Sequence, residues 1–351
     1  NLQSIHTVRW VNVFAEHGHE VHAISIKKPT ETIHEGVNTY FLPFDPPFGY
    51  YLNVCSLKKI LKKINPEVLN AHYASGFGTL ARLSGFHPLV LSVWGKDVYE
   101  FPYQSDFKMK IIQKNLDAAD VICSTSKVMK TQTQTLLKNP KKIFITPFGI
   151  DTNKFTPKKS FSDKVKVIGT VKALAPKYGI STLIKSFALL LEKLPLDDGL
   201  KLVIVGEGPQ RKELERLAKD LNLDDRCEFL GKIPHDKVPE ILHSFDIYAA
   251  LSENESESFG VAILEASACG LPVVVSDVGG LPEVVEDGVS GMVVQHNCPQ
   301  ESSEAFWKLY NNKEIRKEMG LSGIDRVNKV YKWEASYEKM FEVFKKNINH
   351  Y

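Results

Sequence analysis

The chain has 351 residues, 43% of them hydrophobic and 25% charged, and a formal net charge of +2. This composition is typical of a soluble globular protein, and the length is sufficient for two domains with separate cores. The sequence contains no apolar run of the ~18 residues that a membrane-spanning helix needs and no recognisable signal peptide. The five cysteines are scattered without a C-x-x-C spacing, which argues against a disulfide framework or a zinc site and favours a cytoplasmic protein.

The first half of the chain alternates between apolar helix-like and strand-like runs. It begins with a helix at 8–19, whereas a Rossmann-like unit begins with a strand, so we expect a first strand before Asn1. Strands are predicted after it at 20–26, 67–73, 88–94, 120–125 and 143–151. One amphipathic helix is predicted among them, at 57–64. The polar stretch 148–160, which contains Pro157, reads as a linker.

The predicted helix 57-LKKILKKI-64 is strongly basic on one side. Lys58, Lys59, Lys62 and Lys63 lie away from the leucines and isoleucines. Residues 1–150 carry 17 Lys and Arg against 11 Asp and Glu, a net of +6, and residues 151–351 carry 27 against 31, a net of −4. The asymmetry raises the hypothesis of a peripheral contact with an anionic membrane surface. A solvated helix on a core is the ordinary interpretation of the same pattern.

The second half shows a clearer strand–helix alternation. Strands are predicted at 165–171, 201–206, 227–231, 247–252, 272–277 and 291–294, and helices at 179–194, 209–222 and 237–245, with another opening near residue 260. This alternation predicts a parallel, doubly wound sheet with ligands at the carboxyl ends of its strands. No repeat of 20–50 residues is evident, which argues against a solenoid.

An acidic stretch, 252-SENESESFGVAILEASACGLPVVVSD-277, is the most informative part of the chain. Three glutamates precede a helix-like run that holds Glu265. A metal site is one interpretation, but the sequence has no D-x-D and no EF-hand spacing. A helix that begins near Gly260 would instead present free N–H groups to a phosphate, with Glu257 and Glu265 placed to accept hydrogen bonds from sugar and ribose hydroxyls. This spacing favours a phosphorylated sugar.

The stretch E257-S-F-G-V-A-I-L-E265 resembles the E-x7-E motif of retaining glycosyltransferases of family 4, which have the GT-B fold. Similar segments continue through the second half, at 148-FGID-151, 206-GEGP-209, 229-FLGKIP-234 and 270–291. Weaker features of the first half agree: 17-HGHEV-21, 72-HYAS-75 and 94-WGKD-97. The resemblance implies an α/β protein with two Rossmann-like domains that face a central cleft. We place an acceptor domain at 1–148, a donor domain at 149–327, and a helical segment packing back on the first domain at 328–351.

The resemblance also implies roles for individual residues. The second glutamate of the motif, Glu265, would bind the ribose, and Glu257 the donor sugar. Lys172 and Lys177 fall where the family usually has an arginine and a lysine; lysine in the first position keeps the charge but loses the bidentate fork. His72 matches a histidine near the reacting diphosphate. The remaining candidates fall into two groups. Backbone positions around the donor are Phe259, Gly260, Val261, Gly206, Gly208 and Ile233, and the acceptor-side pair is Gly95 and Asp97.

The expected reaction is metal-independent transfer of a hexose or N-acetylhexosamine from a UDP- or GDP-linked donor, with retention, to a saccharide or lipid-linked acceptor. No cofactor and no nucleic acid is expected. Glu253 and Glu255 match nothing in the motif and are interpreted as solvated loop acids. Two alternatives share parts of the pattern: a nucleotide-sugar 2-epimerase of similar architecture, and a non-catalytic nucleotide-sugar sensor. The segment 206-GEGP-209 lacks the third glycine of the dinucleotide fingerprint, which argues against a dehydrogenase.

Overall fold

The structure is a computed structural model that describes residues 1–157, 161–195 and 199–348. The end of the expected linker, 158–160, lies outside these ranges. The chain forms two compact units, Asn1–Gly149 with Trp333–Tyr351, and Ile150–Lys332. The expected boundaries at 148/149 and 327/328 differ from these by one and five residues.

The first unit contains parallel strands in two sheets. The smaller sheet pairs β1 (Val21–Ser25) with β2 (Val37–Phe41), and the larger has the order β3-β4-β5-β6. Its strands are Leu69–His72, Leu89–Val93, Val121–Ser124 and Ile143–Ile145. The last strand is shorter than the expected 143–151, since Pro147 has no N–H for the ladder. Strands β1 and β3 both line a cavity of about 460 Å³. The additional strand that the sequence analysis expects before Asn1 stays a prediction.

Seven α-helices of this unit precede residue 150 in the described part of the chain: α1 Ile5–Glu16, α2 Gly49–Leu52, α3 Val54–Ile64, α4 Gly76–Ser84, α5 Lys96–Tyr99, α6 Asp106–Ala118 and α7 Lys127–Leu136. Helix α1 is shifted about one turn towards the N-terminus from the expected 8–19, because Gly18 takes a left-handed φ of 79° and ends it. Helix α3 contains the basic segment. Its Leu57 and Leu61 are buried, while Lys58 and Lys59 are exposed.

The second unit is built on one sheet in its described part, with all strand pairs parallel and the order β12-β11-β10-β7-β8-β9. In chain order the strands β7 to β12 are Val167–Val171, Lys201–Val205, Cys227–Gly231, Ile247–Ala250, Val273–Ser276 and Met292–Val294. The helices α8 to α14 are Ile180–Leu191, Arg211–Asp220, Val238–Ser244, Val261–Ala268, Leu281–Val284, Pro299–Asn311 and Lys313–Arg326. The expected doubly wound parallel sheet is confirmed for this unit.

The core of the second unit joins helix α8 to the sheet. Ile184 and Phe187 of α8 are fully buried with Leu202 and Ile204 of β8 and Phe306 of α13. Fully buried strands explain the continuous apolar runs of this half of the sequence, because both faces of the sheet are covered by helices. The packing of helices on both faces holds the strands of the sheet in place. The loops that carry the candidate residues begin at the carboxyl ends of these strands.

The last helix, α15 (Trp333–Ile348), belongs to the first unit. Trp333 meets the ring of Trp10 edge-on at 5.1 Å between centroids, and the Tyr337 hydroxyl lies 2.8 Å from His19 Nε2. The segment expected as one C-terminal element is therefore divided. A π-helical turn at Val327–Tyr331 stays with the second unit, and the helix after Lys332 packs on α1.

Candidate functional site

The first part of the acidic stretch, 252–260, lies in the loop between β10 and α11. Its first three glutamates reach three different partners. Glu253 is half-buried and accepts a hydrogen bond from Thr182 Oγ1 at 2.7 Å, while Glu255 is exposed and accepts from the Gly279 N–H at 2.9 Å. The interpretation as a solvated loop acid is wrong for the half-buried Glu253 and agrees with the exposure of Glu255, and each carboxylate also anchors the loop to a neighbouring segment. Their divergence also means that the three side chains do not share one side of an extended strand.

Glu257, the third acid, forms an ion pair with Lys172. Lys172 Nζ donates to Glu257 Oε1 at 2.8 Å, and the two side chains are only 9% and 12% exposed. Lys172 directly follows β7 and Glu257 follows β10, and these two strands are neighbours in the sheet. The carboxyl ends of adjacent parallel strands thus bring a cation and an anion from distant parts of the sequence into one nearly buried pair.

Lys177 lies in the same loop as Lys172, and both ammonium groups lie over the ring of Tyr178. The Nζ atoms of Lys172 and Lys177 are 5.1 and 4.8 Å from the centroid of the Tyr178 ring. An aromatic face attracts cations through its quadrupole, so one ring supports two positive charges. The structure therefore brings Lys172, Lys177 and Glu257 together, and Tyr178 is a participant that the sequence reasoning missed.

Helix α11 begins immediately beside this group. Gly260 is its N-cap with a left-handed φ of 94°, a conformation that residues with a Cβ rarely adopt. The first-turn N–H groups of a helix have no intrahelical partner and carry its positive dipole end. Phe259 is buried with its ring 5.9 Å from that of Tyr331, and Val261 is half-buried. The backbone N–H groups of Gly260 and Val261 can therefore serve an anionic ligand, while the backbone role expected for Phe259, which precedes the helix, stays a prediction.

Glu265 lies one turn further along α11 and is buried, with its side chain 7% exposed. His235 Nε2 is 2.9 Å from Glu265 Oε1, and Lys154 Nζ is 2.9 Å from the other ring nitrogen, Nδ1. Lys154 and His235 were not among the expected residues. No sequence motif marks them, because they come from two separate loops; the only available signal was the position of His235 just after the 229-FLGKIP-234 segment.

The glycines after β8 have a packing role. A Cβ on Gly206 would lie 1.8 Å from the carbonyl oxygen of Lys172, and one on Gly208 would lie 2.3 Å from that of Leu174. The Leu174 N–H donates to the Glu207 carbonyl at 3.0 Å, which joins the two loops. The glycines thus allow the loop that carries both lysines to approach closely. Ile233, another expected donor-side residue, is half-buried in the loop after β9.

His72 belongs to the first unit, at the carboxyl end of β3. Its Nδ1 lies 3.4 Å from Thr7 Oγ1 and its Nε2 lies 3.2 Å from Asn70 Nδ2, and its ring packs against Trp94 at 4.5 Å. Burial lowers the pKa of His72 to about 3, with a smaller contribution from His6. The imidazole is therefore neutral at physiological pH.

Gly95 and Asp97 lie in the loop after β4 of the first unit. Gly95 has a φ of 131°, and Asp97 is fully buried. The Asp97 carboxylate accepts backbone hydrogen bonds from Ala74 at 2.7 Å, Trp94 at 3.1 Å and Gly95 at 2.9 Å. Burial raises the pKa of this carboxyl, and the backbone hydrogen bonds oppose that rise. Asp97 thus ties the loops after β3 and β4 together, a structural role that sequence reasoning did not assign.

Two features of the described residues bear on metal ions and membranes. Nowhere in 1–157, 161–195 and 199–348 do three or more His, Cys, Asp or Glu side chains group so that they could hold a metal ion. Across the same residues, no helix is both long and apolar enough to cross a bilayer.

Comparison with known proteins supplies the family. The profile of "Glycosyl transferases group 1" matches residues 151–326, and that of "Glycosyl transferase 4-like" matches residues 1–126. An N-acetyl-alpha-D-glucosaminyl L-malate synthase of Bacillus anthracis is 27% identical over 93% of this chain and 90% of its own length. A D-inositol 3-phosphate glycosyltransferase of Corynebacterium jeikeium is 32% identical over 58% of this chain and 51% of its own.

Solved structures show the same fold. A sucrose-phosphate synthase from Thermosynechococcus elongatus superposes with a TM-score of 0.84 at 20% identity, over 99% of this chain and 94% of that one. The Anabaena protein HepE in complex with UDP superposes with a TM-score of 0.79 at 18% identity, over 98% and 97%. The expected α/β fold class, GT-B with two Rossmann-like domains, is confirmed. The chain belongs to the group 1, family 4 glycosyltransferases and is a glycosyltransferase of the GT-B fold.

Proposed function

We propose that the protein transfers a hexose or N-acetylhexosamine from a nucleotide-diphosphate sugar to a hydroxyl of a saccharide or lipid-linked acceptor, with retention at the anomeric carbon. A role in the synthesis of a surface polysaccharide or glycolipid fits such acceptors. The observation that carries the proposal is the ion pair of Lys172 and Glu257 beside the start of helix α11. Cation, carboxylate and helix N-terminus are the groups that a sugar diphosphate needs.

The reaction breaks the bond between the anomeric carbon and the diphosphate oxygen and forms one to the acceptor oxygen. The acceptor hydroxyl proton passes to the departing phosphate on the same face of the sugar. The transition state is like an oxocarbenium ion, and negative charge grows on the diphosphate. Lys172, Lys177 and the first-turn amides of α11 stabilise that charge, and no metal ion is required for this. Glu257 binds the sugar once Lys172 turns to the phosphate.

The relatives support a nucleotide-sugar donor and leave both UDP and GDP open. HepE is described in complexes with UDP and with UDP-glucose. A mannosyltransferase of Mycobacterium tuberculosis, 24% identical over 74% of this chain, is named as GDP-mannose-dependent and as acting on a phosphatidylinositol monomannoside. Thermal-shift measurements with UDP-, GDP- and ADP-linked sugars would identify the nucleotide first, because a ligand that binds only the folded state raises the unfolding temperature.

The decisive experiment is proton NMR of the reaction with the identified donor and a panel of saccharide and lipid-linked acceptors. We expect an acceptor-dependent glycoside with the anomeric configuration of the donor. A product of inverted configuration would refute the same-face mechanism. Conversion of the donor sugar without any acceptor would instead identify the epimerase alternative. Tight donor binding with no turnover on any acceptor would identify the sensor.

We further propose that the first unit contacts an anionic membrane surface through the exposed side of α2 and α3. Exposed positions recur every three or four residues there. Three of them are large and apolar: Phe48 is 74% exposed, Tyr51 46% and Leu52 56%. The other four are exposed lysines, Lys58, Lys59, Lys62 and Lys63. Each lysine near an anionic leaflet contributes about 1 kcal/mol, and exposed aromatic side chains can enter the headgroup region.

Sedimentation with phosphatidylcholine vesicles, with and without phosphatidylglycerol, tests this contact. We expect binding only to the anionic vesicles, and its loss when the four lysines of α3 are changed to glutamine. The matched control changes four exposed lysines elsewhere in the same unit to glutamine: Lys110, Lys114, Lys138 and Lys142. Equal binding by the wild type and both variants would refute the surface assigned here.

A further inference from the structure

Three side chains of the second unit form a hydrogen-bonded line that ends on the expected ribose-binding acid. Lys154 Nζ lies 2.9 Å from His235 Nδ1, and His235 Nε2 lies 2.9 Å from Glu265 Oε1. The side chain of Glu265 is 7% exposed and that of His235 is 28% exposed. The histidine therefore covers one oxygen of a nearly buried carboxylate and is itself partly open to solvent.

The contacts on its two nitrogens define the state of the imidazole. An ammonium group can only donate, so Lys154 needs an acceptor at Nδ1. A carboxylate can only accept, so Glu265 needs a donor at Nε2. The tautomer with its proton on Nε2 satisfies both contacts at once. In this arrangement Lys154 selects the tautomer, and the tautomer gives Glu265 a hydrogen-bond donor.

Local structure holds His235 and its partner Lys154 in place. The Asp151 Oδ1 atom accepts from the backbone N–H groups of Asn153 and Lys154, a turn that presents Lys154. His235 follows Pro234 and opens a short 3-10 helix, and its ring meets that of the buried Phe155 edge-on at 5.6 Å. The histidine thus has a fixed backbone and a packed ring, as expected of a side chain that orients another.

We propose that His235 is a positioning residue for the donor nucleotide, which holds the Glu265 carboxylate in the orientation that accepts the ribose hydroxyls, and that Lys154 sets its tautomer. The inference rests on the proposed function and adds two residues to its donor site. An ionised carboxylate has about four lone-pair sites. The Glu265 carboxylate can therefore keep its bond to His235 and still accept from the ribose hydroxyls.

The test compares three variants in nucleotide binding, measured by calorimetry with whichever of UDP and GDP the wild type binds. His235→Ala removes the donor, and roughly tenfold weaker binding is expected, in line with the loss of a hydrogen bond to a charged group. His235→Gln carries an amide N–H at a similar distance along the side chain and should restore most of the affinity. The matched control is His243→Ala. His243 also uses Nε2, at 2.8 Å, to contact the segment that carries Lys154, through the Thr156 carbonyl, but it does not contact Glu265.

Ribose analogues separate positioning from a general loss of structure. In the wild type, the 2′-deoxy and 3′-deoxy forms of the nucleotide should bind more weakly than the parent, because Glu265 loses a partner. In His235→Ala this penalty should shrink, since the carboxylate is no longer held for the diol. In His235→Ala the KM for the donor should rise. The kcat, measured with saturating donor, should change little because the ribose is remote from the bond that breaks.

Several results would overturn the proposal. An unchanged nucleotide affinity in His235→Ala would do so, as would an undiminished deoxy penalty or equal losses in His243→Ala. If His235→Ala binds the parent nucleotide and both deoxy analogues more weakly by the same factor, and its unfolding temperature is also lower, then His235 has a structural role only. If the wild type binds no nucleotide at all, the proposed function fails instead, and the two failures are thereby distinguished.

Discussion

The ion pair of Lys172 and Glu257 allows a prediction in which stability and catalysis separate. Lys172→Met and Glu257→Gln each remove one charge of a pair whose side chains are 9% and 12% exposed. Each single change leaves the other charge in a nearly buried place without its partner. The double variant Lys172→Met with Glu257→Gln leaves no charge there.

The structure gives the magnitude. At the 2.8 Å separation of Nζ and Oε1, two unit charges attract by about 6 kcal/mol with an effective dielectric constant of about 20. Much of this attraction offsets the desolvation of the two groups, but the removal of one partner leaves that desolvation uncompensated. We therefore expect each single variant to lower the free energy of unfolding by roughly 3–5 kcal/mol. The double variant should lose less than either single variant, because it buries no unpaired charge.

Denaturant unfolding at pH 7 measures the free energy of unfolding of the three variants. Donor turnover with saturating acceptor measures their activity. The coupling between the two positions, obtained from the double-mutant cycle, should be 1 kcal/mol or more in favour of the pair. Activity should be low in all three variants, since the proposed mechanism needs Lys172 at the diphosphate and Glu257 at the sugar. The double variant would thus be well folded and inactive. Single variants within about 0.5 kcal/mol of the wild type would refute the view that this pair is desolvated.

Four further predictions concern the proposed donor site and His72 of the first unit. Glu265→Gln should weaken binding of free UDP or GDP and of the donor together by ~1–3 kcal/mol; unchanged nucleotide affinity with slower turnover, by calorimetry and steady-state kinetics, would contradict the ribose role. Lys177→Ala should lower kcat by roughly 10²–10³, as for one preorganised donor at a developing anion, while Lys172→Arg should retain activity; full turnover in a folded Lys177→Ala would place the leaving group elsewhere. Excess EDTA should leave transfer nearly unchanged, and activity lost to EDTA and restored by Mg²⁺ or Mn²⁺ would exclude the metal-free mechanism. The pKa of His72 is lowered to about 3 from an unfolded value near 6.5, so between these pH values His72 takes up a proton only in the unfolded state. The free energy of unfolding should therefore fall as the pH drops below about 6.5. Acid unfolding curves should show a less steep fall in His72→Gln.

The sequence alone determined the fold class and placed the two glutamates of the motif on either side of one helix start. The apolar runs of 201–206 and 272–277 follow from a parallel sheet buried on both faces, and their burial in the structure agrees. The spacing of Glu257 and Glu265 around Gly260 is local. It follows from the rise of one helix and from a backbone conformation that glycine adopts readily, so a motif of nine residues suffices to recognise it.

Tertiary structure alone decided which groups meet. The partners of Glu253, Glu257 and Glu265 are Thr182, Lys172 and His235, each contributed by a different segment. Sequence spacing does not encode such contacts, because they depend on which strands are neighbours in the sheet and where the loops at their carboxyl ends turn.

The same reason explains the misinterpretation of Glu253 and the missed roles of Tyr178 and Asp97. The exposure of a loop acid is set by the segment that packs over it. A buried carboxylate such as Asp97 is stable only because three backbone N–H groups converge on it in the folded chain. Local patterns in a sequence report which residues form a helix or a strand. The hydrogen bonds that join one loop to another exist only after the sheet has brought the loops together.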